Sequence, residues 1–198
     1  MINIAVEGES DREVAKAVVR AAGHVVNKIV VAGGKTRLDP RIPNYNRAAT
    51  QQPWVVFRDS DAQCPVSLRA SLTAGITKWH PNFSLRIAHS MSEAWLLADP
   101  AAFSEFFSVP QNRIPSDPES LLHAKRTVLD LCVRSRSRAV QRDMTAPGNA
   151  TGPLYVARIN EFASSTWRPI VASDLSNSLR RTIDRIRELP DPASELAS

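Results

Sequence analysis

Four acidic side chains, Glu7, Asp59, Asp61 and Glu93, stand directly after, or a few residues beyond, short apolar runs of β-forming residues. Glu7 closes Ile2–Val6, Asp59 and Asp61 follow Trp54-Val55-Val56-Phe57, and Glu93 comes soon after Leu85-Arg86-Ile87-Ala88. If those runs are parallel strands, their ends share one edge of a sheet, the edge on which α/β proteins build their sites. Carboxylates crowded in a partly desolvated cleft repel one another and raise each other's pKa. A divalent cation resolves that conflict, and hard oxygen donors suit Mg²⁺ or Mn²⁺. The plainer alternative is that Asp59 and Asp61 cap a turn and Glu93 is a first-turn helix acid; the agreement of three separate strand ends speaks against it.

The elements that would position these acids follow from the patterning. After the first strand, Ser10 and Glu13 have capping-box spacing ahead of Val14, Ala17, Val18 and Ala21 at helical intervals, and Gly23 stops that helix. Residues 24–31 read as a second strand, 54–57 as a third and 85–88 as a fourth. A short helix around Tyr45–Ala49, one over 66–77 and one starting at Met91–Leu97 lie between or beyond them. Strand alternating with helix predicts an α/β fold with a mostly parallel central sheet flanked by helices.

Beyond residue 100 no strand is expected. Leu121–Cys132, Tyr155–Phe162 and the stripe Leu175, Leu179, Ile183, Ile186, Leu189 follow a helical repeat. The expected organisation is therefore an α/β core over 1–100, a helical extension over 101–189 packed on it, and a flexible tail over 190–198. The extension has too little apolar surface to stand alone.

The chain has 198 residues, 43% hydrophobic and 23% charged, the balance of a soluble protein. It has no apolar run of membrane-spanning length and no signal-peptide layout at its start. Cys64 and Cys132 make neither a disulfide framework nor a zinc spacing, so a cytoplasmic location is expected. The net charge of +5 is unevenly placed. Lys35, Arg37, Arg41, Arg47 and Arg58 face Asp39 alone over 33–58, and a second basic stretch covers 121–143. Such stretches suit a polyanion, although a solvated face has the same composition.

Val6-Glu7-Gly8-Glu9-Ser10-Asp11 after a first strand, with Asp59-Ser60-Asp61 after a later one, resembles the TOPRIM (topoisomerase–primase) domain of primases, topoisomerases and the overcoming-lysogenization-defect nucleases. Further runs are similar to a narrower bacterial TOPRIM-like family: Gly33-Gly34-Lys35, Arg58–Asp61, Glu93-Ala94-Trp95-Leu96-Leu97-Ala98-Asp99, Gly152-Pro153-Leu154-Tyr155 and Ser176–Arg181. The resemblance implies Mg²⁺-dependent phosphodiester hydrolysis on DNA or RNA. In it Glu7 is a general base or metal ligand, and Asp59 and Asp61 are the metal-binding pair. Glu93 joins the catalytic set from the narrower resemblance alone. Lys35, Arg37 and Arg58 would orient phosphate, with Arg41 and Arg47 adding backbone contacts. The resemblance also implies work beside an ABC-type ATPase in anti-phage defence, and it allows a homo-oligomer. A non-catalytic nucleic-acid-binding or adaptor module is the alternative.

Other readings of the same residues fail on spacing. Gly34-Lys35-Thr36 lacks the earlier glycine of a P-loop, whose place is taken by Ile29. Asp61-Ala62-Gln63 lacks the threonine-rich continuation of a haloacid-type phosphatase, and the four histidines have no ligand spacing.

Overall fold

The computed structural model describes residues 1–190 apart from Ala62, Ser90 and Met91. The end of the expected tail, 191–198, therefore lies outside the described residues, as does Met91, the expected first residue of the helix before Asp99. The chain runs β1 (Ile2–Val6), α1 (Arg12–Ala21), β2 (Val26–Val31), α2 (Lys35–Leu38), α3 (Ile42–Ala48), β3 (Trp54–Asp59), α4 (Pro65–Thr73), β4 (Phe83–Ala88) and α5 (Ser92–Leu97). There follow α6 (Pro100–Phe107), α7 (Ala124–Val133), α8 (Arg138–Met144), β5 (Thr145–Ala146), β6 (Ala150–Thr151), α9 (Tyr155–Ser165), α10 (Pro169–Ala172) and α11 (Asn177–Arg187).

The first four strands form one sheet in the order β2-β1-β3-β4, every neighbour parallel. β1 is buried along its whole length, and β3 nearly so; a strand covered on both faces reads as an unbroken apolar run. The connection from β1 to β2 runs one way along the sheet, whereas those from β2 to β3 and from β3 to β4 run the other way. Right-handed crossovers in opposite directions put their helices on opposite faces. Accordingly Ile2, Ile4, Val6, Val55 and Phe57 pack with α1 in one core, while Ala5, Trp54, Val56 and Leu85 pack with Leu38, Ile42 and Tyr45 in another.

The first core continues without a break into the second half of the chain. Trp95, Phe103, Phe107, Phe162, Leu179, Ile183 and Ile186 belong to the same buried cluster as β1 and α1. α9, α10 and α11 pack on α1, α11 also lies against β4, and α7 packs on α5. Asp99 ties this layer together. Its carboxylate accepts from Ala102 N at the start of α6 and from Arg168 N, Nε and Nη2 just before α10, the last at 2.7 Å.

Three local expectations change. The pattern Ser10–Glu13 is not a capping box: Asp11 Oδ2 accepts from Gly8 N at 2.9 Å, closing a 3₁₀ turn over Glu9–Asp11 before α1. The N–H that Ser10 would have capped, that of Glu13, donates instead to Asn160 Oδ1 of α9 at 3.2 Å. Leu175 is exposed rather than in the α11 stripe, because Ser176 caps the helix by accepting from Leu179 N. Finally, β5 and β6 form a small antiparallel pair beyond residue 100 around Gly148, at φ 73°. Two-residue strands are too short to leave a periodic signal.

Candidate functional site: an acidic cleft at the sheet's switch point

β1 sends the chain one way along the sheet and β3 sends it the other, so the crevice at their carboxyl ends is a topological switch point, where open α/β sheets bind ligands. Glu7 leaves β1 there and Asp59 ends β3. Glu7, Asp11, Asp59, Asp61 and Glu93 all line one open cleft of about 230 Å³, together with Gly34 and Lys125. All four acids singled out from the sequence thus share one site. A smaller hollow of about 10 Å³ beside it puts Glu7, Asp11 and Asp59 against Val14, Phe57 and Trp95, the apolar wall that takes water away from them.

The acids divide into two electrostatic groups. Asp59 is half-buried at the end of β3; its Oδ1 accepts from Ser92 N at 2.9 Å. Burial, followed by repulsion from Asp11, Glu93 and Glu7, pushes its carboxyl well above the ordinary aspartate range. Asp11 is raised by burial against the pull of its Ser92 Oγ and Gly8 N hydrogen bonds. Glu93 is raised by burial although Tyr155 OH donates to its Oε1 at 2.8 Å. Glu7 is raised by burial against the opposing field of Arg58, with Asp61 and Asp11 adding to the rise. Its Oε2 lies 3.3 Å from Arg58 Nη1, an ion-pair distance without hydrogen-bond alignment, and is buried with no hydrogen-bond partner among the described residues.

Asp61 belongs to the other group. Burial opposes its ionisation, but hydrogen bonds from Lys35 Nζ at 2.9 Å and Arg58 Nη1 at 3.0 Å outweigh that and hold it below the ordinary range. It sits at φ 49°, a left-handed conformation that Asp and Asn tolerate better than most residues.

The basic residues expected at phosphate also separate. Arg58 is 3% exposed and its guanidinium is shared among Glu7, Asp39 and Asp61, with a further bond from Nη1 to Asp59 O. It is a strut that holds acids in place, not a free phosphate ligand. Lys35 is half-exposed beside Asp61. Arg37, Arg41 and Arg47 are exposed on the same connection but do not line the cleft, and Arg47 donates to Asn44 Oδ1.

Sequence reasoning did not single out Asp11, Ser92, Lys125 or Tyr155. Asp11 was within the Glu-Gly run, and its position four residues after Glu7 was the available signal. Lys125 comes from the second basic stretch, over 121–143; its Nζ stands 4.8 Å over the Tyr155 ring, which in turn holds Glu93. That pairing joins α7 and α9 to the acid cleft, a link made only in three dimensions.

Oxygen donors with raised pKa values and an orphaned Glu7 Oε2 suit a hard cation chemically. Their spacing is not that of a closed ligand set: among the described residues no three His, Cys, Asp or Glu side chains converge tightly enough to hold a metal ion. No described helix is long and apolar enough to cross a membrane.

No family model matches the sequence, and no curated protein matches it. Among solved structures, the chain is similar to the C-terminal region of the Xanthomonas campestris pv. campestris OLD protein, with a TM-score of 0.44 and 16% identity. The match covers 100% of this chain and 98% of that one.

Proposed function

We propose that this chain is a divalent-cation-dependent phosphodiesterase of TOPRIM type acting on nucleic acid, with its site in the acidic cleft. The carrying observation is the gathering of Glu7, Asp11, Asp59 and Glu93 at the β1/β3 switch point, with Glu7 Oε2 left without a hydrogen bond among the described residues. In this reading Glu7 and Asp59 would supply carboxylate ligands to Mg²⁺ or Mn²⁺, a cation commonly held by one or two carboxylates with water completing its shell. The chemistry such a cation supplies is charge stabilisation at the attacking and leaving oxygens. A carboxylate with a raised pKa is also suited to take a proton from water, a role assigned to Glu7. Asp61 keeps Lys35 beside the cleft, where its ammonium can meet a phosphate oxygen. Glu93, held by Tyr155, positions Asp59 through their mutual repulsion and shared burial. The layer from 101 to 189 covers the core and brings Lys125 and Tyr155 to the site.

The absence of a converged ligand set among the described residues favours a second reading, a nucleic-acid-binding or adaptor module working with a partner ATPase in phage defence. One pair of measurements separates the two. Calorimetric titration with Mn²⁺ and a cleavage assay on mixed DNA and RNA should show cation binding and products that both vanish in Asp59→Asn. Nucleic-acid binding with neither cation binding nor cleavage establishes the second reading instead.

A further inference from the structure

β4 is an edge strand of the sheet, yet its free side is not open for pairing. The carbonyl of Leu85 accepts from Arg69 Nη1 at 3.0 Å and that of Phe83 from Trp79 Nε1 at 3.1 Å. Arg69 in turn lies 4.9 Å over the Trp79 ring. An added β-strand would have to displace these bonds, so strand addition is not what this edge is built for.

What the edge does present is a groove between α4, β4 and α11. Three neighbouring cavities of about 400, 480 and 460 Å³ run along it, and Arg86 lines all three. Arg69 lines two of them, as do Arg181 and Arg185 of α11. The carboxylates along the groove already have partners. Glu188 pairs with Arg185 at 2.9 Å, Asp184 with Arg187 at 2.9 Å, and Glu119 accepts from Ser176 Oγ and Ser178 N.

Arg86 contrasts with the arginine on the neighbouring strand. Arg58 on β3 has three carboxylates around it, whereas Arg86 Nε is buried with no hydrogen-bond partner among the described residues. Burial, then the neighbouring Arg69 and Arg185 charges, lower Arg86 to about 10, with Glu188 opposing. A buried donor without an acceptor, flanked by like charges, costs stability that an anion would return.

We propose that this groove is a track for the phosphodiester backbone of a nucleic-acid strand, with Arg86 at its floor and Arg69, Arg181 and Arg185 along its walls. The length of the groove, three cavities around one arginine, fits a polyanion better than a single small anion. Its upper end reaches His89, one residue past Ala88, the register partner of Asp59. Arg86 stands two residues before Ala88, about 7 Å along the strand. A backbone held at Arg86 therefore leads toward the acidic cleft. The inference rests on nucleic acid being the ligand, as proposed above, but not on cation binding or cleavage.

The test is fluorescence anisotropy with the full chain in EDTA, using fluorescein-labelled single-stranded DNA and RNA over a salt series. Arg181→Gln/Arg185→Gln changes only exposed side chains, and Arg86→Gln probes the floor, with melting curves confirming that each variant folds. The double variant should lose about tenfold or more in affinity and flatten the log–log salt slope by about 1.4, or 0.7 for each removed phosphate contact. Unchanged affinity and slope in both folded arginine variants would overturn the proposal. So would no oligonucleotide binding at all, or displacement by inorganic phosphate or poly-glutamate at the same charge concentration. Because EDTA removes cation chemistry, failure of the cleavage reading leaves this result standing, and failure here leaves cleavage untouched.

Discussion

Asp59→Asn should stabilise the cation-free protein. The residue is half-buried, and desolvation together with Asp11, Glu93 and Glu7 disfavours its charge. Asparagine keeps the shape and the oxygen that accepts from Ser92 N, so the hydrogen bond at 2.9 Å survives the substitution. Two unit charges about 8 Å apart at an effective dielectric of about 20 repel by about 2 kcal/mol. The gain is therefore about 1–2 kcal/mol, or about 2–8 °C in Tm for a chain of this size. The pH dependence gives the sharper signature. Asp59 titrates above its unfolded value of 3.8, so between the two values the folded protein holds a proton that the unfolded chain has lost. Wild-type stability therefore falls as pH rises through that window, and the advantage of the asparagine variant grows with it, vanishing below the unfolded value. Adding Mn²⁺ should reverse the order, because a ligand that binds only the folded state raises the wild-type Tm and not the variant's. Differential scanning fluorimetry between pH 4 and 8, in EDTA and in Mn²⁺, measures all of this. A variant that melts several degrees below wild type in EDTA at pH 7 would refute the reasoning and make Asp59 a structural cap.

Asp61→Asn should have the opposite pH signature. Its folded pKa is depressed, so its contribution is present above the unfolded value of 3.8 and lost as pH falls through the folded one. With Lys35 half-exposed, the loss at pH 7 should be about 0.5–1 kcal/mol, read from chemical denaturation. Asp99→Asn should cost about 2–3 kcal/mol, since it weakens the α6 cap and the charge-assisted bonds from Arg168. Calorimetry should show its cation binding unchanged. Gly152→Ala should cost about 3 kcal/mol or more, because a Cβ there would stand 2.5 Å from Thr145 N and 2.6 Å from Asp143 O, backbone atoms that cannot step aside. A melting temperature within a degree of wild type would mean the β5–β6 turn yields more easily than its packing implies.

Much of the frame was legible in the residues. β1 and β3 are apolar runs cut off by acids, and a run buried on both faces carries its own signature whatever packs on it. Parallel strands also bring their carboxyl ends to one edge, so Glu7, Asp59, Asp61 and Glu93 could be assigned to a common site from position in the chain alone. The run Glu93–Asp99 was conspicuous as a unit, but its members do three separate things. Glu93 lines the cleft, Trp95 to Ala98 fill the core, and Asp99 clasps Arg168.

The individual fate of each charged group was decided by the tertiary structure. Asp59 and Asp61 are two residues apart and chemically alike, yet one is pushed up and the other down, because a bend at φ 49° turns Asp61 toward Lys35 and Arg58. Arg58 and Arg86 are both strand arginines. One is surrounded by acids contributed by residues 7, 39 and 61, and the other faces cations from α4 and α11. Burial and Coulomb interactions depend on neighbours brought from elsewhere in the chain. Local sequence sets which strand end an acid occupies, whereas only packing sets its partners, and the partners decide its charge.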